Sequence, residues 1–155
     1  MNLGMTERVK PLIDAVRRMI EDEIAPLDAE FHAEVGKHPK GRFFHTDRQL
    51  EILNGLKAKV RERGLWNFWL TDSDRGFGLS KVEYAYLAEE MGKVSIAAEV
   101  FNCNAPDTGN MELLNLFATP EQRERWLMPL LEGEIRSCFA MSEPDVASSD
   151  ATNIQ

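Results

Sequence analysis

Val9, Leu12, Ile13, Val16, Met19 and Ile20 recur every three or four residues between Thr6 and Glu23. That spacing lines one face of an α-helix. Pro26 is expected to break or kink it, with the stretch from Pro26 to Val35 resuming as helix. "GKHPKGRFFH" (36–45) reads as a loop by its Gly and Pro content. Thr46 and Gln49 fit a capping box. The helix after them should turn Leu50, Leu53, Leu56 and Val60 inward and end near Gly64. "LWNFWL" (65–70) fits either a strand or an irregular run, and "TDSDRGFG" (71–78) is a polar turn. Ser80 and Glu83 form a second capping box, opening a helix that runs to about Met91 and stops at Gly92. Residues 95–118 read as two helical pieces interrupted at Pro106. Thr119, Pro120 and Gln122 give a third start signal, for a helix carrying Trp126, Leu127, Leu130 and Leu131 that ends at Gly133.

Only then does the period change to two. "IRSCFAM" (135–141) reads as a strand, with Phe139 and Met141 on one face and Ala140 and Ser142 on the other, until Pro144 stops it. The expected fold class is mainly α: a helical bundle over 1–134, followed at 135–155 by the first strand and loop of a β-domain. A lone strand cannot satisfy its own backbone groups. The chain is therefore expected to be the front of a longer protein or half of an assembly.

Composition narrows the function classes. The 155 residues are 43% apolar and 28% charged, as in an ordinary globular domain. A net charge of −8 argues against nucleic acid as the main partner. Cys103 and Cys138 have no companions at metal-ligand spacing and read as reduced, buried small hydrophobes. With no signal-peptide pattern and no apolar run of about 18 residues, the sequence reads as cytoplasmic without a membrane span.

Five stretches invite chemistry. "GFGLSK" (76–81) lacks the third glycine of a dinucleotide fingerprint, since Lys81 stands there, and reads as a glycine turn before a capped helix. His32, His38 and His45 have no acid or nucleophile beside them in sequence and read as surface residues. Glu89 and Glu90 point about 100° apart on a helix, so a solvated face or a buried ion pair is favoured over paired acid–base work. "NCNAPDTGN" (102–110) is unusually polar, and fits either a ligand cavity or an Asn- and Asp-capped turn. The terminal loop places small residues and hydroxyls after a strand, where a planar heterocycle or a phosphate can approach the backbone; a Ser-rich surface turn has the same composition.

"CFAMSEPDVASSDATNI" (138–154) resembles the signature of the acyl-CoA dehydrogenase family, a strand followed by a Thr/Ser-Glu-Pro triplet and a small-residue Ser-Asp segment. "RERWLMPLLEGEIRSCFAM" (123–141) and "DRGFGLSKVEYAYLAEEMGK" (74–93) resemble the family's neighbouring segments. "VFNCNAPDTGNMELL" (100–114) is similar to the subgroup that in animals is fused to a kinase-like domain. The resemblance covers about residues 5–155 and implies the family's N-terminal helical domain plus the start of its middle β-domain.

The resemblance implies an FAD enzyme that introduces an α,β double bond into a fatty acyl-CoA. Electrons pass to an electron-transferring flavoprotein, and the complete enzyme is a homo-oligomer. Carried over by position, the flavin contacts are Phe139, Ala140, Met141, Ser142, Ser148 and Ser149. Ser142 stands where the family most often has Thr. One serine of the pair, Ser149 in preference to Ser148, matches the family serine near the CoA portion of the substrate. The family's catalytic glutamate is expected downstream of Gln155, so no catalytic or metal-binding residue is assigned here, and the chain alone is expected neither to hold FAD tightly nor to turn over. Two other readings remain: a helical module that binds a partner protein or an acyl chain without redox chemistry, and an acyl-CoA oxidase-like enzyme that passes electrons to oxygen.

Overall fold

The computed structural model describes residues 4–71, 75–140, 143–144, 150 and 152–153. Its α-helical segments are α1 (Lys10–Met19), α2 (Ala25–Ala33), α3 (Asp47–Glu62), α4 (Lys81–Met91), α5 (Ala97–Val100), α6 (Asp107–Phe117), α7 (Pro120–Gln122) and α8 (Met128–Leu131). The chain is mainly α, as expected. Val9, Ile13, Val16 and Met19 are buried along α1, with Leu12 half-buried.

Pro26 does not break the first helix. Residues Ile20–Ile24 widen into a π turn, Ala25 N–H donates to the Ile20 carbonyl, and α2 carries on. Proline has no N–H for the carbonyl four residues back, and its ring crowds that carbonyl. A wider turn relieves the crowding without ending the helix. The same solution recurs before Pro129, where the π turn Arg123–Leu127 joins α7 to α8 and Met128 N–H donates to the Arg123 carbonyl.

All three capping boxes form, at Thr46, Ser80 and Thr119, each with both reciprocal bonds. α3 ends at Gly64, whose φ of +67° allows Gly64 N–H to reach Arg61 O and Leu65 N–H to reach Val60 O. Those paired bonds close the helix end, and Leu65 and Val60 are both buried beside them. The inward face of α3 is Ile52, Leu53, Leu56 and Val60. Leu50, expected inward, is exposed, because it lies about 100° around the helix from the buried Gln49. Gln49 is held inside by its capping role and by donating Nε2 to Phe31 O at 3.1 Å.

α1 packs on α4, α2 on α3, and α3 and α4 on α5, while α6 lies across α8 and the π turn before it. The segment 65–70 is irregular rather than a strand, and its apolar residues fill the centre. Phe68 is fully buried against Phe101, ring centroids 5.3 Å apart.

The expected strand at 135–141 is the main correction to the secondary structure. Arg136–Ala140 make no ladder, and Met141 lies outside the described residues. A strand needs a neighbouring strand for its N–H and C=O groups. Among the described residues none runs alongside, and Ser137 N–H is taken by a side chain instead. Cys138, expected to be buried, is exposed on this unpaired segment; Cys103 is buried and its thiol is pushed up by desolvation.

Two buried glutamates tie the bundle together. Glu83 accepts from Thr6 Oγ1 at 2.6 Å and from Ser80 N–H at 2.9 Å. Glu90 pairs with Arg17 at 2.8 Å and Lys93 at 2.6 Å, while Glu89 is exposed. These donors bring each carboxyl from an ordinary 4.5 down to about 2. A carboxyl with a depressed folded pKa adds stability above its unfolded pKa and loses it as pH falls through the folded one. Urea denaturation midpoints are therefore expected to be flat above about pH 5 and to fall between about pH 4.5 and 2. Glu90→Gln should be less stable at neutral pH and show a shallower acid fall. An unchanged acid slope would remove Glu90 from this account.

Candidate functional site

The polar stretch 102–110 does two structural jobs. Asn67 and Asn102 both sit in the left-handed region, at φ +57° and +55°, which Asn tolerates better than most residues. Both are buried, and Asn102 Nδ2 donates to Asn67 Oδ1 at 2.7 Å. Together with Trp66 they cover the last carbonyls of α8: Trp66 Nε1 and Asn67 Nδ2 reach Leu131 O at 2.7 and 2.8 Å, and Asn102 Nδ2 reaches Leu130 O at 3.1 Å. A helix C-terminus leaves such carbonyls without partners, so the two asparagines act as a remote cap. Asn102→Ala is expected to cost about 1–3 kcal/mol by leaving buried groups unpaired. Urea denaturation measures it, and a loss below about 0.5 kcal/mol, the range of neutral surface changes, would sink the cap assignment.

The second job is to anchor residues 135–140. Asp107, the first residue of α6, is 2% exposed. Its Oδ1 accepts from Ser137 N–H at 2.7 Å and from Ser137 Oγ at 2.6 Å. Its Oδ2 accepts from Arg136 Nε, and Arg136 Nη1 also reaches Glu99 Oε2. Glu99 in turn holds Lys57 at 2.5 Å. Burial pushes the Glu99 carboxyl up, but Lys57 and Arg136 outweigh it and hold it below the ordinary range. Asn110 Nδ2 donates to Ser137 Oγ at 2.8 Å. Six side chains from four parts of the chain thus fix one short strap against α6.

Beside the strap lies an apolar cavity of about 280 Å³, lined by Leu113, Leu114, Trp126, Leu130, Ile135 and Cys138 among others. α6 is hydrophobic on more than one face. Met111 is buried, while Leu113, Leu116 and Phe117 are exposed at 58, 61 and 78%. An apolar outward face on a helix that also buries an inner residue suits packing by a further layer. Phe139 is 60% exposed at the far end of the strap, and a methyl placed on Gly109 would meet its Cζ at 3.7 Å.

Of the residues carried over as flavin contacts, Phe139 and Ala140 are exposed on this strap. Met141, Ser142, Ser148 and Ser149 lie outside the described residues. Arg136 and Ser137 were not singled out from the sequence, and Trp126 reads there as an apolar helix position rather than a site residue. The signal for the first two was the buried acid in "NAPDTGN", which needed a partner; for Trp126 it was the outward apolar face of α6.

His38 stacks on Phe44, and His45 meets the edge of Phe31. His32 does find partners that sequence proximity hides: its Nε2 lies 2.5 Å from Ser95 Oγ, which donates to Asp28 Oδ1 at 2.7 Å. This is not a nucleophile relay. Asp28 approaches Nε2 at 3.7 Å, the same nitrogen that faces Ser95, and so does not orient the ring from its other side. "GFGLSK" is a turn with Gly78 at φ +57°, whose carbonyl accepts from Arg8 at 2.7 Å. Among the described residues no cluster of His, Cys, Asp and Glu could hold a metal, and no helix is long and apolar enough to cross a membrane.

A family model described as the acyl-CoA dehydrogenase N-terminal domain matches residues 6–134. The chain belongs to the acyl-CoA dehydrogenase family. It is 46% identical over 159 residues to acyl-CoA dehydrogenase family member 10 of Mus musculus, spanning 98% of this chain and 14% of that protein. It is 56% identical over 104 residues to family member 11 of Homo sapiens, spanning 67% of this chain and 13% of that one. A solved structure from Mycobacterium abscessus, assigned as an acyl-CoA dehydrogenase, superposes with a TM-score of 0.81 at 48% identity, over 98% of this chain and 38% of that one. The chain thus spans a minor part of the length of each relative. In this acyl-CoA dehydrogenase domain, the helical bundle carries the anchored strap and the outward apolar face of α6.

Proposed function

We propose that this chain serves as the N-terminal part of an FAD-dependent acyl-CoA dehydrogenase that oxidises a fatty acyl-CoA at its α and β carbons and passes electrons to an electron-transferring flavoprotein. The observation that carries this reading is the strap: a backbone segment fixed at Ser137 by Asp107, then presenting Phe139 beside an apolar cavity. The residues present fit a flavin. An exposed aromatic ring and backbone groups with no ladder partner among the described residues suit a planar heterocycle with a polar edge.

Phe139, Ala140, Met141 and Ser142 would hold the flavin, the last two lying outside the described residues. Ser149, with Ser148 beside it, would face the CoA portion of the substrate. When bound, the flavin supplies the hydride acceptor, and the protein supplies orientation. Asp107 and Arg136 set the strap's position, and Leu113, Trp126 and Ile135 give it an apolar, solvent-facing neighbour. None of Glu83, Glu90 and Asp107 is assigned as the base that takes the α-proton, because each carboxylate is held by at least two donors. The same reading has the enzyme cytoplasmic and homo-oligomeric.

The test is the native gene product, purified and examined for mass and visible spectrum. A yellow protein heavier than the 17.6 kDa of this chain, bleached anaerobically by an acyl-CoA, is expected. A colourless product of 17.6 kDa would overturn the reading. Rapid reoxidation of the reduced protein by oxygen would assign it to the oxidases instead.

A further inference from the structure

The loop between α2 and α3 is chemically unlike the rest of the chain. Residues 36–45 carry Lys37, Lys40, Arg42, His38 and His45 and no acid, in a protein of net charge −8. At its tip Phe43 is 87% exposed and Phe44 49%. Gly36 and Gly41 take φ of +84° and +102°, and Gly41 N–H and Phe44 N–H close tight turns onto His38 O and Gly41 O. The turns place cations and rings on one another: Arg42 Cζ lies 5.2 Å from the Phe43 centroid, and Lys40 Nζ 5.8 Å from that of Phe44. Lys37 pairs with Glu34, but Lys40 and Arg42 have no carboxylate partner among the described residues.

We propose that this tip docks on an anionic phospholipid surface. Two adjacent phenyl rings reach the boundary of headgroups and acyl chains, and unpaired cations beside them sit at the level of the lipid phosphates. The acids nearest in sequence do not cancel this charge: Glu34 is engaged by Lys37 and Thr46 and Glu30 by Arg48, which leaves Asp47 as the acid here without a cation partner among the described residues. The remaining negative charge is spread over the bundle, and screening over about 8 Å at physiological ionic strength confines its repulsion.

The experiment is co-sedimentation of the chain with phosphatidylcholine vesicles, with and without phosphatidylserine, at low and high salt. Binding to the phosphatidylserine vesicles is expected, weakening with salt and absent from phosphatidylcholine alone. Each cation removed should cost about five-fold in partitioning, so Lys40→Glu with Arg42→Glu should lose more than about 25-fold. Phe43→Ser with Phe44→Ser should also lose binding. Thermal unfolding should be unchanged in both variants, since the altered side chains are exposed. No sedimentation with phosphatidylserine vesicles, or equal binding by both variants, overturns the proposal. Retention of the chain on immobilised polyglutamate without vesicle binding, lost in the charge variant and kept in the phenylalanine variant, would overturn it in favour of an acidic protein partner.

Discussion

Phe68→Ala is expected to lower unfolding stability by about 3–5 kcal/mol, the range for truncating a large buried aromatic. Phe68 is fully buried and is the ring that three others share: Phe101 at 5.3 Å, and Phe77 and Tyr84 at 6.3 Å. Those partners come from the segment after α5, the glycine turn and α4, so the cavity left by Ala opens among elements that cannot all collapse together. Asn67 adds to this rigidity, with its left-handed backbone and its N–H on Phe101 O at 3.3 Å. A domain of this size is stable by about 5–15 kcal/mol, so the variant should unfold at much lower urea, with little change in slope. Phe68→Leu, which keeps most of the volume, should cost under about 1.5 kcal/mol. A loss below about 1 kcal/mol for the alanine variant would mean that the aromatic cluster is not the centre of the core.

Local chemistry made the helical frame legible. A capping box joins a side chain to its own backbone three residues away, so Thr46, Ser80 and Thr119 announced their helices without tertiary information. Gly64 and Gly133, both with φ near +65°, did the same for helix ends. The prolines were harder. Pro26 and Pro129 forbid one regular bond, and whether the chain breaks or widens depends on how firmly the flanking turns are packed. Ile20, Ile24 and Leu127 are all buried, and packing held both helices together. Leu50 and Ile52 show the limit of periodicity: both fit a stripe three or four residues apart, and tertiary burial of Gln49 chose between them.

The site was less legible because its chemistry runs between distant positions. "NCNAPDTGN" stood out as too polar for its surroundings, but its partners are 28 to 35 residues away in sequence. Nothing in the local pattern distinguishes an asparagine that caps a remote helix from one that faces a ligand. The structure favours the structural role for Asn102 and Asp107 and leaves Asn110 beside the cavity. The period-two pattern of "IRSCFAM" records alternation along the chain, whereas a ladder also requires a neighbour.

Asp107→Ala is expected to release the strap. The carboxylate accepts a backbone N–H, a hydroxyl and a guanidinium from two consecutive residues, and it is almost entirely out of water. Its removal leaves Ser137 N–H without its acceptor and Arg136 with Glu99 alone. Unpaired groups at a buried position cost about 1–3 kcal/mol, more where a charge is involved; Arg136 is partly exposed, so a loss of about 2–3 kcal/mol is expected. The sharper readout is hydrogen exchange. Ser137 N–H should lose its protection in the alanine variant, while amides within α1 and α4 keep theirs, because neither helix supplies a side chain to the strap's anchor. Asp107→Asn keeps one acceptor oxygen and should retain partial protection. In a double-mutant cycle, Asp107→Ala and Ser137→Ala should couple by about 0.5–3 kcal/mol, as residues in contact do. Independent effects, with Ser137 N–H still protected, would show that the strap is held by its apolar contacts rather than by Asp107. Loss of protection confined to the strap would place Asp107 as the residue that sets where Phe139 stands.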